Sequence, residues 1–402
     1  MTWLLERKQW GTLAGAALLA LAAVAVYANT ASAPFVFDDQ LCIVDNPTIR
    51  HLWPPWSALS PPHGGGLTVD GRPVVNLSLA INYAISGYRV WSYHAFNVLI
   101  HLLAGLTLFA IVRRTANSSV GVAFAIALLW TVHPLQTESV TYTIQRAESL
   151  MGLFYLLTLY CFIRSVSEWA VSVPPSTDSA LLSNRLDGLR SGSLRGFRSL
   201  SAVGPRNAQS VPLPKHSIRW EWLSVACCLC GMATKEVMVS APVMVLFYDR
   251  TFIAGSFAAA WRQRRGFYLS LAATWLLLLA LVLHSGTRGG TTGFGNGVAP
   301  WAYWLTQPKA IVHYLTLTFW PRPLIFDYTT YWVTGAAQVV PFAASARYIR
   351  CSAIICVVPG TRLVGARIAK NQSPRNPQAG QRQSATAVAA TKRMTTAAKG
   401  IT

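Results

Sequence analysis

Long apolar runs recur along this chain and fix its class before any motif does. Gly11–Thr30, Tyr93–Val112, Val120–Val132, Leu150–Ile163 and Phe267–Leu283 contain no Asp, Glu, Lys or Arg. A run of about 20 apolar residues reads as a transmembrane helix, because lipid offers no partner to backbone N–H and C=O groups and each span must satisfy its own. With the less regular runs included, the expectation is an all-α polytopic membrane protein of about seven to nine transmembrane helices. Only 12% of the residues are charged and 52% are hydrophobic, a balance that leaves a soluble domain out.

A formal net charge of +20 would suggest nucleic acid as the partner of a soluble protein. Here the basic residues sit in loops and in the tail, where they act as topology signals and imply no nucleic acid. Arg7 and Lys8 precede the first run, so the N-terminus is expected in the cytoplasm and residues 31–92 outside. Tyr93–Val112 closes on Arg113-Arg114, Val120–Val132 returns outward at His133-Pro134, and Leu150–Ile163 re-enters at Arg164. Ala31-Ser32-Ala33 resembles a signal-peptidase site, but the length of the first run and the spans after it favour a retained anchor. Cys161, Cys227, Cys228 and Cys230 lie in apolar runs and Cys42 in the first outer loop, a pattern that predicts neither a disulfide nor a metal site.

Four segments follow from this walk: a membrane bundle over 1–164 with its outer loop, a Ser/Arg/Pro/Gly-rich insertion over 165–217, a second bundle over 218–342, and a basic tail over 343–402. The insertion and the tail have the composition of disordered chain. For the tail a native cytoplasmic segment and a frame-shifted end are both open. Trp220–Tyr248 is interrupted by Lys235-Glu236, and placing an ion pair at the bilayer centre is costly. Two short spans meeting at an outer turn avoid that cost and return the Arg262, Arg264 and Arg265 cluster to the cytoplasm. Tyr303–Phe319 reads either as an interfacial helix or as a further span.

The outer loops then hold the chemistry. Asp38 and Asp39 lie in the first, His133-Pro134 through Glu138 with Arg146 and Glu148 in the second, Lys235-Glu236 in the third, and Arg288 with a Gly-rich stretch in the fourth. The whole chain has only 14 acidic residues, so a vicinal pair at a membrane exit stands out. Carboxylates beside basic groups suit transfer from an anionic lipid-linked donor: an Asp takes a proton from an acceptor hydroxyl, and Lys or Arg offsets charge on a departing phosphate. Neither a Walker loop nor a GxGxxG motif is present, so no nucleotide site is expected.

Phe35-Val36-Phe37-Asp38-Asp39 with Asn46-Pro47, the segment from Arg72-Pro73-Val74 to Leu103, His133-Pro134 to Arg164, Lys235-Glu236, and Trp320-Pro321 to Tyr328 occur in one order. In that combination the chain resembles the membrane domain of bacterial tetratricopeptide-repeat proteins and the transmembrane O-mannosyltransferases with tetratricopeptide repeats. The resemblance implies a GT-C-like bundle, a polyprenyl-phosphate-linked sugar as donor, and a catalytic acidic motif in the first outer loop, at Asp38 and Asp39. It also implies a bacterial inner-membrane location. No helical repeat follows the membrane part, and the 165–217 insertion departs from the pattern.

Blander roles compete at every site. Glu138 and Arg146 either pair structurally or bind donor, and Lys235-Glu236 is either a turn held by its own charges or part of the donor site. Arg288 is a lone arginine of weak weight. His94, Asn97 and His101 share one helical face, and hydrogen bonding between helices is the role expected of them. The activity expected is transfer of a sugar, mannose by the resemblance, to an extracytoplasmic acceptor, with a protein hydroxyl first and a lipid or glycan as the alternative. A membrane scaffold or inactive remnant is the non-enzymatic alternative. No cofactor is expected, although carboxylates near a phosphate leave room for a divalent cation.

Overall fold

The computed structural model describes residues 2–63, 67–115, 119–172, 215–285, 299–325 and 333. Among these the regular structure is entirely helical: α1 (Thr2–Tyr27), α2 (Trp56–Leu59), α3 (Pro73–Ser86), α4 (Val90–Thr115), α5 (Val120–Thr131), α6 (Thr137–Thr141), α7 (Arg146–Ser172), α8 (Lys215–Met232), α9 (Ala241–Phe252), α10 (Phe257–Ser285) and α11 (Pro300–Phe319). Local chemistry marks several of the ends. α3 opens on Pro73, whose fixed φ suits a first turn. It stops at Gly87, where φ is +57°, a value that costs a glycine little. α4 ends on Arg113 and Arg114, which complement the negative end of the helix dipole. Ser119 caps α5 by accepting from the Val122 N–H.

Fewer helices cross than the apolar runs suggested. Gln9–Ser32, Val90–Thr115, Thr143–Val166 and Phe257–Ser285 are long and apolar enough, and a fifth span is reached only by counting Val120–Thr131 with Pro134–Thr141, bent by 50°. The expected seven to nine is therefore corrected to four or five among the described residues. The break in the fifth is at His133-Pro134, where proline cannot continue the helix. Trp220–Tyr248 does divide near Lys235-Glu236, but into α8 and α9, of 18 and 12 residues, too short or too polar to count. α11 carries Pro308 and Lys309 within its 20 residues and is likewise not apolar enough. The insertion residues 173–214, the loop 286–298 and the tail 343–402 lie outside the described residues. α7 continues to Ser172, beyond the expected exit at Arg164.

Side-chain bonds sort the helix ends into two groups. At one end Tyr27 donates to the Thr131 carbonyl at 3.4 Å, His94 Nε2 to Ala33 O at 3.0 Å, and His101 Nε2 to Thr131 O at 2.8 Å. At the other, Arg113 reaches Thr12, Tyr248 donates to Thr115 Oγ1 at 2.8 Å, and Arg264 bridges both Asp249 oxygens. The His133, Lys235 and Asp38 loops belong to the first end, and the Arg113-Arg114 and Arg264 clusters to the second. His94, Asn97 and His101 are each at most 1% exposed, and each bonds to backbone of another segment.

The segment between α1 and α3 is a folded cap. Cys42, Ile43, Ile49, Val69, Val75, Leu79, Tyr93 and Ile144 form one buried cluster that joins residues 42–69 to α3, α4 and the start of α7. Burying an Ile side chain contributes roughly 1.5–3 kcal/mol, so the fully buried Ile43 and Ile49 hold this segment in place. Asn46 ties it further, donating to Asn76 Oδ1 at 2.8 Å. A second cluster, around Phe162, Cys228, Met238, Phe267 and Leu271, packs α7 to α8, α9 and α10. The described cysteines are free thiols.

Candidate functional site

Phe37 introduces the acidic pair with φ of +49°, in the left-handed region that a bulky residue seldom adopts. The chain turns there, and the two aspartates take opposite roles. Asp39 is 1% exposed. Its Oδ2 accepts from Val36 N–H at 3.1 Å and its Oδ1 from Ile144 N–H at 2.8 Å. Burial pushes the Asp39 carboxyl up to about 6, against the pull of those two N–H groups. Asp38 is exposed; its Oδ2 accepts from Thr68 Oγ1 at 2.8 Å, and its N–H donates to the Tyr142 hydroxyl at 2.9 Å. Of the two, only Asp38 offers a carboxylate to an incoming molecule.

Arg146 lies inside the protein and is 0% exposed. Its Nε donates to Asn97 Oδ1 at 2.7 Å, one terminal nitrogen to Ser78 O at 3.1 Å and the other to Tyr93 O at 3.0 Å, and the guanidinium stacks 4.8 Å from the Phe96 ring. It does not meet Glu138. The geometry is that of a strut joining α7 to α3 and α4, and neither as a donor ligand nor as the partner of Glu138 does Arg146 sit where the sequence suggested.

The remaining charges gather where α7, α3 and the turn after α8 meet. Lys235 pairs with Glu148 near the start of α7, and Arg72 reaches Glu236 Oε2 at 3.4 Å. Val74 N–H donates to Ala233 O at 3.1 Å, so the backbone also fastens α3 to this turn. Arg72 is 7% exposed, and its Nε is buried without a hydrogen-bond partner. One of its terminal nitrogens donates to the carbonyl of Thr68, whose hydroxyl holds Asp38. Burial draws the Arg72 guanidinium below its ordinary value while the carboxylate of Glu148 supports its charge.

Two cavities open beside this cluster. One, of about 320 Å³, is lined by His101, Trp130, Gln136, Glu138, Glu148 and Gly152 among others, and the second, of about 420 Å³, by Leu135, Glu138, Tyr142, Tyr314, Leu317 and Leu324 among others. Leu135, Glu138 and Tyr314 form a wall common to both. Glu138 therefore faces open space, as do the Glu148 carboxylate and the Tyr142 ring next to Asp38. Among the described residues, no three His, Cys, Asp or Glu side chains are grouped to hold a metal ion. Arg288 lies outside the described residues. Thr68, Arg72 and Tyr142 were not singled out as site residues from sequence; Arg72, at the head of the segment running to Leu103, and Tyr142, within the 133–164 block, lay in segments that carry the resemblance.

Comparison with known proteins bears on this arrangement. The chain is 34% identical over 160 residues, 38% of its length, to Protein O-mannosyl-transferase TMTC1 of Mus musculus, of which the match covers 17%. It is 33% identical over 172 residues to the Homo sapiens protein of that name, covering 41% of this chain and 20% of the relative. It is 36% identical over 154 residues, 36% of this chain, to Protein O-mannosyl-transferase TMTC2 of Homo sapiens, covering 18% of it. The matched segment thus spans about a fifth of the length of these curated relatives. No family model matches the chain, and no solved structure does.

Proposed function

We propose that this chain is the membrane part of a GT-C-like glycosyltransferase, which moves a sugar from a polyprenyl-phosphate donor to a hydroxyl of an acceptor protein. In this reading the N-terminus is cytoplasmic and the Asp38 end faces outward. Mannose is the sugar in the names of the relatives.

The reading rests on one observation: Asp38 is exposed, its carboxylate held by Thr68 and its backbone N–H by Tyr142, at the end of the bundle where Glu138, Glu148, Lys235 and Arg72 gather. Asp38 takes the proton of the acceptor hydroxyl as its oxygen attacks the anomeric carbon. The bond from that carbon to the phosphate oxygen breaks, its electron pair leaves with the polyprenyl phosphate, and the configuration inverts. Lys235 and Arg72 bring positive charge to the side where the phosphate gains charge. Asp39 is a positioning residue: its two backbone bonds hold the turn that presents Asp38.

Membranes carrying the wild type or Asp38→Asn, supplied with defined polyprenyl-phosphate sugars and a Ser/Thr-bearing acceptor, test the assignment. The wild type transfers sugar and Asp38→Asn, inserted to the same level, transfers none. Persistent transfer by Asp38→Asn sinks Asp38 as base, and a parallel series with chelator reports on a divalent cation.

A further inference from the structure

We infer that the 320 Å³ cavity beside Glu138 is the subsite for the sugar ring of the donor, a neutral polyol, and does not receive the phosphate. The inference rests on the donor class proposed above and names which part of that donor this cavity takes.

The volume is at the lower end of the range for small-molecule pockets, about 300–1,000 Å³. That suits a monosaccharide-sized group. The lining carries the residue types that hydroxyl-rich rings require: the acids Glu138 and Glu148, the amides Gln136 and Gln145, and the aromatic residues Trp130 and Tyr314. Trp130 is held in place by stacking on His101, with centroids 4.9 Å apart, and His101 is anchored in turn to Thr131 O. Aromatic rings and hydrogen-bonding side chains lining one cavity serve both the apolar C–H faces and the hydroxyl edges of such a ring.

Charge decides against the phosphate. Two carboxylates face this space, and the positive charge nearest them, on Lys235, is paired with Glu148. An entering phosphate would meet net negative charge from the walls at close range, where like charges repel by several kcal/mol at intermediate dielectric. A sugar carries no charge and donates hydrogen bonds to both carboxylates. Leu135, Glu138 and Tyr314 line both this cavity and the second one, which Tyr142 also lines, and the Tyr142 hydroxyl accepts from the Asp38 N–H, so the two spaces and Asp38 share one end of the bundle.

Gly152 supplies the test, since it lines the cavity and a Cβ built there meets nothing within 4 Å. The first atom of a side chain at Gly152 stands in open space beside the cavity, so Gly152→Leu adds bulk to its lining, and leucine favours a helix more than glycine does. Binding of polyprenyl phosphate and of polyprenyl-phosphate mannose is measured on the purified full chain in detergent micelles. Wild type is expected to bind the mannosylated lipid at least tenfold more tightly. Gly152→Leu should lose that difference while its affinity for the sugar-free lipid is unchanged, and Gly152→Ala should keep most of it. Glu138→Gln should weaken the mannosylated lipid several-fold and leave the sugar-free lipid equal or tighter. If Gly152→Leu weakens both lipids alike or neither, or Glu138→Gln weakens the sugar-free lipid, the subsite assignment falls and the donor class stands. Wild type binding neither lipid overturns the donor class and this subsite with it.

Discussion

Asp39 Oδ1 accepts the Ile144 N–H at 2.8 Å across 105 residues of sequence, joining the segment after α1 to the start of α7. The side chain of its neighbour Asp38 makes no such long-range anchor, accepting only from Thr68, and is exposed. The two substitutions therefore separate. Asp38→Asn should remove sugar transfer while unfolding within about 0.5 kcal/mol of wild type, the usual range for an exposed site. Asp39→Ala strands the N–H groups of Val36 and Ile144 and should cost about 2–4 kcal/mol. Denaturant unfolding in micelles, run beside the transfer assay, checks both.

The Asp39 carboxyl also makes stability depend on pH. Its folded value, about 6, stands above the ordinary 3.8, so the folded state holds the proton more firmly than the unfolded chain does. This contribution is fully present below about 3.8 and is lost as pH rises through about 6. The stability of wild type relative to Asp39→Asn should therefore fall between those two values, by up to about 3 kcal/mol, and be level above about pH 7. Thermal unfolding of both proteins across that window measures it; a difference that grows with pH refutes the assignment.

Arg146 should behave as a strut. Replacing it with Met leaves Asn97 Oδ1 and the Ser78 and Tyr93 carbonyls without their donors. A loss of about 2–5 kcal/mol is expected, from three buried acceptors left without donors at about 1–3 kcal/mol each, partly offset because a buried charge is removed as well. Arg146→Lys should recover less than half, because a single ammonium cannot span three acceptors held around a planar fork. The monodisperse fraction after extraction, with the unfolding midpoint, reads the effect. A donor-binding arginine would instead weaken donor binding with the fold intact.

The contrast between Arg146 and the spans shows what was legible in the sequence. Val90–Thr115 and Phe257–Ser285 announce themselves by length and freedom from charge, and Lys235-Glu236 announces a break because ions are costly in lipid. Such signals are local sums. The burial of Arg146 depends on Ser78, Tyr93 and Asn97, brought from 49 to 68 residues away by packing, and no window of sequence contains it. Asp38 and Asp39 are chemically identical neighbours; the positive φ of Phe37 and the distant Ile144 N–H decide which of them is exposed. Span number was overcounted because the helices on either side of Lys235-Glu236 and α11 were counted as spans although they are too short or too polar to cross.

Gly105 and Thr131 offer a last test, of the wall that carries Trp130. A Cβ at Gly105 would stand 2.5 Å from Thr131 Oγ1, a hydroxyl buried without a hydrogen-bond partner, so α4 and α5 approach this closely only because position 105 has no side chain. Gly105→Ala must push α5 away and should cost about 1–3 kcal/mol, the usual range for overpacking. Thr131→Ala removes the obstructing oxygen, and the remaining Thr131 Cβ is 3.8 Å from the added methyl, an ordinary contact. The double variant should therefore regain most of the loss, with a coupling of about 0.5–3 kcal/mol in a double-mutant cycle. His101 and Tyr27 bond to the Thr131 carbonyl, which both substitutions keep, so they do not mask the result. Trp130 moves with Thr131, and Gly105→Ala should also weaken mannosylated lipid while the double variant restores it. Additive losses in the two single variants would show that the close approach of α4 and α5 is not what Gly105 provides.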